Sequence, residues 1–133
     1  MKIVYQGSPG AYSHLAAELI FPNYEYVSSK TFEDCFKLCY ENDNYKTIIP
    51  VENSIAGRVA DIQYLINKYK LQIYAEHFQE ISHNLMALEN VKFDDIKSVR
   101  SHSQAISQCQ KIINQNKLEP IIAADTAGSA RFI

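Results

Sequence analysis

The apolar run Ile3-Val4-Tyr5 stops at Gly7-Ser-Pro-Gly10 and gives way to a helical pattern that opens at Ser13. A strand that breaks into a Gly/Pro turn and restarts as a helix is the front of a strand–helix–strand unit, and such units commit a chain to a parallel sheet. The rhythm continues: strand-like runs at 3–6, 24–28, 47–50 and 71–80 alternate with amphipathic helical patterns at 13–21, 31–41 and 59–69. Thr31 and Asp34 have the spacing of a capping box, and Phe32, Cys35, Phe36 and Cys39 then recur at helical intervals. From Ser82 the pattern begins again, with strands at 83–88, 98–100 and 120–123, a connector at 91–96, a helix at 103–116 and a last helix opened by Asp125 or Thr126. The expected architecture is α/β and two-lobed, 1–80 and 81–133, with mixed, mostly parallel sheets, helices on both faces and a cleft.

Size and charge narrow the function. A chain of 133 residues, 47% of them apolar, buries roughly two thirds of its unfolded surface and folds as one ordinary globular protein. Thirteen basic against fifteen acidic residues, for a net charge of −2, leave no excess for a phosphate backbone or an anionic lipid surface, so no nucleic acid and no membrane is expected as partner. Met1-Lys-Ile-Val enters the first strand without an apolar leader, and no run approaches the ~18 residues of a membrane span, which points to the cytoplasm. Cys35 and Cys39 share the apolar face of one helical pattern and read as core thiols of a reducing compartment. His14, His77, His83 and His102 are too scattered for a metal site.

The polar groups gather at turns. The Gly7–Gly10 turn aims free backbone N–H groups and a positive helix end outward, a place for an anion, with Gly10 and Ser13 beside it. Ser13 can equally cap its helix. A second turn follows Pro50 and presents Glu52, Asn53, Ser54 and Gly57. In the second lobe, Ser101-His-Ser-Gln repeats the strand-to-helix arrangement, with Gln104 and Gln108 one turn apart on one face. Ser101 or Ser103 as a cap and solvated glutamines is the plainer alternative. Asp125-Thr-Ala-Gly-Ser adds a third helix start, where Asp125 reads first as an N-cap. His14 and His102 either donate to a ligand or are satisfied by backbone, and Tyr64, Tyr69 and Tyr74 read as half-buried packing residues. Several neutral donors around one cleft would suit a small dianion.

Gly7-Ser-Pro-Gly-Ala-Tyr-Ser-His, Pro50-Val-Glu-Asn-Ser-Ile-Ala-Gly-Arg-Val, Ser101-His-Ser-Gln-Ala with Gln108-Cys109, and Thr126-Ala resemble, in order, the motifs of prephenate dehydratases. The resemblance covers essentially the whole chain. It implies a fold like the type 2 periplasmic binding proteins with the site in the interlobe cleft, conversion of prephenate to phenylpyruvate in phenylalanine biosynthesis, no cofactor and no metal, and a homodimer or higher homo-oligomer. It also implies that Asn53, Ser101 and Gln108 matter for activity, with Gly10, Ser13, Ser54, Gly57, His102, Thr126 and Ala127 near substrate. A neutral amide such as Asn53 can hold a carboxylate without the strong ion pairing that would keep it from leaving as CO2. Glu52 beside a dianion is better suited to a structural hydrogen bond.

The sequence departs from the family's usual residues at Ser8, Ala11-Tyr12, Ser103 and Asp125. The family's downstream Thr-Arg-Phe motif, whose Thr is the favoured proton donor, and its ACT regulatory domain have no counterpart in these residues, since Arg131-Phe132 comes too early. With apolar residues ending a helical pattern at 130–133, the expectation is a truncated second lobe. Two rival readings stay open: a non-catalytic module binding a small dicarboxylate or amino acid, and an arogenate dehydratase.

Overall fold

The computed structural model describes residues 1–59 and 61–133, which divide into two compact units, Met1–Glu80 and Ile81–Ile133. The first is organised by β1 (Lys2–Gln6), which lies between β2 (Glu25–Ser29) and β3 (Tyr45–Ile48) in a parallel sheet of order β2-β1-β3. Ile3 and Val4 are fully buried and Tyr5 is 2% exposed, so both faces of β1 are covered, which is why its sequence is a continuous apolar run rather than an alternating one. Helix α1 (Tyr12–Ile20) covers one face: His14 meets the rings of Tyr5 and Tyr26, at centroid distances of 4.8 and 5.4 Å. Helix α2 (Phe32–Glu41) covers the other, where the Cys35 thiol is buried beside Ser29 and Thr47. The period of two along each strand sends these two sets of side chains to opposite faces.

The capping box opens α2. Thr31 Oγ1 accepts from the Asp34 N–H at 3.1 Å and the Asp34 carboxylate accepts from the Thr31 N–H at 3.2 Å. A short antiparallel hairpin, β4 (Glu52–Asn53) with β5 (Gly57–Arg58), precedes α3 (Ile62–Tyr69). Phe36 of α2 packs with Ile62 and Leu65 of α3, and burying three such side chains is worth about 2 kcal/mol each. At the rim of this contact Lys68 donates to the Glu33 carboxylate at 2.6 Å, which holds that carboxyl below its ordinary range.

The second unit pairs β6 (Ser98–Ser101) with β7 (Glu119–Ile122) in parallel, Ser101 standing opposite Ile122. Helices α4 (Ser103–Gln108) and α5 (Gln110–Gln115) connect them, α6 (Thr126–Phe132) follows, and Ala105, Ile113 and Leu118 are buried. The Arg100 guanidinium lies 4.4 Å from the Phe132 ring centroid. Among the described residues no helix is long and apolar enough to cross a membrane.

Five expectations need correction. The runs at 71–80 and 83–88 are not strands: among the described residues neither pairs in a ladder, and the backbone bond that touches them, Val91 N–H to the Leu88 carbonyl at 3.0 Å, is a turn. The helix expected at 103–116 is interrupted at Cys109 (φ −96°, ψ 6°), although the Ile113 N–H still reaches the Cys109 carbonyl. Helix α1 starts at Tyr12 with Ala11 as its N-cap, so Ser13 lies within the first turn and caps nothing. His102, not Ser101 or Ser103, is the N-cap of α4. Tyr64 and Tyr74 are 62% and 82% exposed and face charge instead, with the Lys68 and Lys46 ammonium groups 5.8 and 5.2 Å from their ring centroids.

Two measurements follow. Burial pushes the Cys35 and Cys39 thiols up to about 11 and about 12, so both should resist iodoacetamide at pH 8 in the folded chain and react once it is denatured. Because the folded thiols titrate above the unfolded ones, their contribution to stability is intact below the ordinary thiol value and is lost as pH rises through about 11. Replacing Thr31 with Ala should lower unfolding stability by about 1 kcal/mol, read by urea titration.

Candidate functional site

In the first unit the parallel pairing of β1 with β3 brings their C-terminal ends to one edge of the sheet, so the Gly7–Gly10 turn and the hairpin after Pro50 leave from neighbouring positions. Gly10 (φ +87°) donates its N–H to His14 Nδ1 at 3.3 Å. That bond needs the Nδ1 lone pair, whereas pairing with the Glu18 carboxylate, 3.8 Å from the same nitrogen, needs a proton there; the shorter contact favours the Nε2–H tautomer. His14 is thus spent on the turn and on packing against Tyr5 and Tyr26. The start of α1 carries no side-chain cap, and half-buried Ser13 lies in its first turn.

The hairpin is built around Asn53. Its Oδ1 accepts from the backbone N–H groups of Ile55 and Ala56, both at 2.9 Å, closing an Asx turn through Ser54. Gly57 pairs with Asn53 across the hairpin at φ +79°, a conformation that a side chain would strain. Both acceptor directions of the Asn53 amide oxygen are thereby used, and its NH2 group is what remains to meet a ligand. Exposed Glu52 stands opposite Arg58 in the hairpin register.

In the second unit the parallel β6–β7 pair again gathers polar starts at one edge. Half-buried Ser101 ends β6, its carbonyl accepting from the Ala123 N–H at 2.9 Å. His102 caps α4 by accepting the Gln104 N–H at Nδ1, 3.3 Å away, so its Nε2–H is the donor left over. Asp125 caps α6, accepting from the Gly128 N–H. Thr126 and Ala127 form the half-buried first turn behind it. A Cβ on Gly128 would lie 2.8 Å from Asp125 Oδ2, so a side chain there must push the Asp125 carboxylate out of its capping position. Gln108 ends α4, one turn beyond Gln104, and its Oε1 lies 3.0 Å from His83 Nε2.

The structure therefore gathers Gly10, Ser13, Asn53, Ser54 and Gly57 along one sheet edge of the first unit, and Ser101, His102, Thr126 and Ala127 along one of the second. Gln108 sits farther down α4. Sequence reasoning missed the role of the Asn53 oxygen, for which Asn before Gly57 in a short loop was the signal, and missed His83, for which a contact across 25 residues left none. Among the described residues no three His, Cys, Asp or Glu side chains are grouped to hold a metal ion. A groove of about 260 Å³ lined by Ile106, Gln110, Ile113 and Pro120 contains none of the residues singled out from the sequence for substrate or catalysis.

Residues 3–133 match the family described as prephenate dehydratase. The chain is 37% identical over 133 residues to arogenate dehydratase/prephenate dehydratase 1, chloroplastic, of Arabidopsis thaliana, covering all of this chain and 34% of that protein. It is 34% identical over 131 residues to a bifunctional N-acyl-homoserine lactone acylase/prephenate dehydratase of Komagataeibacter europaeus, covering 98% of this chain and 47% of that one. The crystal structure of the prephenate dehydratase from Staphylococcus aureus superposes with a TM-score of 0.86 at 24% identity, over all of this chain and 51% of the other. The chain thus spans about a third of the length of the first of these relatives and about half of the solved structure.

Replacing Gly128 with Ala should displace the Asp125 cap and lower stability by about 1 kcal/mol, comparable to Asp125→Ala, with the double change costing little more; thermal unfolding of the three variants checks it.

Proposed function

The chain belongs to the prephenate dehydratase family, and from that premise we propose that the polypeptide carrying it is a lyase that converts prephenate to phenylpyruvate, with Asn53, Ser101 and Gln108 contacting substrate. The observation that carries this reading is the orientation of the two amides. Asn53 Oδ1 is held by two backbone N–H groups and Gln108 Oε1 by His83, so each amide offers NH2 donors without charge.

That donor set suits the reaction. The prephenate dianion takes up one proton and yields phenylpyruvate, CO2 and water. The bond from the ring to its carboxylate breaks, the electron pair enters the ring, and the ring C–O bond breaks as the leaving hydroxide is protonated. Aromatisation supplies the driving force, so the protein's work is to bind the dianion, orient it and bring the proton. A full positive charge on the departing carboxylate would stabilise the ground state more than the transition state, in which that charge is dispersing; neutral amides avoid this. Gly10, Ser13, Ser54, Gly57, His102, Thr126 and Ala127 complete the proposed substrate contacts.

Arogenate is the second reading, because the Arabidopsis relative is named for both substrates. The ratio of kcat/KM for the two substrates decides between them, and binding of prephenate without turnover would instead favour a non-catalytic module. The proposal includes a cytoplasmic setting, supported by Cys35, Cys39 and Cys109 all being free thiols, as a reducing compartment keeps them. It also includes a homodimer or higher homo-oligomer, to be read by sedimentation equilibrium.

Asn53→Asp tests the amide. The carboxylate keeps the oxygen that closes the Asx turn but replaces the donor with negative charge. We expect the melting temperature to stay within a few degrees while kcat/KM for prephenate falls by at least about a hundredfold. Asn53→Ala, which removes both functions, should lower the melting temperature as well. Undiminished turnover by Asn53→Asp would overturn the assignment.

A further inference from the structure

We propose that His83 is the positioning residue of Gln108, an inference that rests on the reading of Gln108 as a substrate-contacting group. His83 lies outside every helix and strand, in a segment whose own side chains are exposed, yet its Nε2 stands 3.0 Å from Gln108 Oε1. An amide oxygen only accepts, so His83 Nε2 carries the hydrogen and donates. The neutral Nε2–H tautomer and the imidazolium both do this, so the bond survives either protonation state of the ring.

The contact matters because of where Gln108 stands. It is the last residue of α4, and the helix is interrupted at the next residue, Cys109, so neighbouring turns do less to confine its side chain than they would in a helix interior. A glutamine there has a long side chain and an amide that can present either its oxygen or its NH2 group. An oxygen already engaged by a donor resolves that choice in favour of the NH2 group facing away from His83. The same arrangement holds at Asn53, where backbone N–H groups engage the oxygen. One amide is fixed by its own turn and the other by a side chain 25 residues away.

The test uses the full polypeptide, labelled with 15N, as wild type, His83→Ala and His83→Gln. The glutamine of the last variant carries an NH2 group near the place of the ring Nε2. In His83→Ala we expect the Gln108 side-chain amide signals to shift, kcat for prephenate to fall about tenfold or more, and KM to change little. His83→Gln should restore most of the turnover and return the amide signals toward those of wild type. Unshifted Gln108 amide signals in His83→Ala, or wild-type kcat in that variant, would overturn the proposal. Should the wild type itself leave prephenate unchanged, the functional reading fails, and the amide spectra still decide whether His83 orients Gln108.

Discussion

The burial of β1 on both faces is the constraint from which the first unit follows. A strand whose Ile3, Val4 and Tyr5 are all sequestered must have a neighbour on each side and a layer above and below. Parallel pairing on both sides supplies the neighbours, and the crossovers that parallel pairing requires supply the layers, as α1 and α2. It also means that every strand runs out at one edge. The Gly7–Gly10 turn and the segment that leads to the Asn53 hairpin leave from that edge for that reason.

What was legible in the sequence was whatever rests on local pattern. Thr31 and Asp34 could be read as a cap because both members of the box lie within one turn, and the apolar spacing from Phe32 to Cys39 fixed the face that α2 buries. The α/β character and parallel pairing were legible too, in the alternation of element types. The strands expected at 71–80 and 83–88 failed because a period of two in apolar residues records which face a segment could bury, while the ladder depends on a partner that the pattern does not name. The break at Cys109 was hidden as well, since nothing in Gln108-Cys109-Gln110 disfavours a continuous helix. For the candidate site, the residues of the Asn53 and Ser101 turns could be found from sequence, but the direction of their dipoles could not. An Asn in a loop offers an oxygen and an NH2 group alike until the backbone that claims one of them is known.

The histidines make the same point from the other side. Each of three ring nitrogens is committed: His14 and His102 accept backbone N–H groups at Nδ1, and His83 donates from Nε2. Their chemical roles follow from these commitments rather than from the residue type. His14, half-buried against two tyrosine rings, is a part of the fold. His102 retains one donor beyond its capping duty.

The closed oxygen of Asn53 has a consequence for evolution. Backbone shape and ligand polarity are written at that position in a single atom, so a change that alters what the site attracts also alters the loop that displays it. Drift toward a ligand that itself donates hydrogen bonds cannot proceed by rotating this amide, because doing so abandons two backbone groups to solvent. Such a shift in preference must be recruited from other side chains, leaving the hairpin as an unchanging fixture while the surroundings diversify.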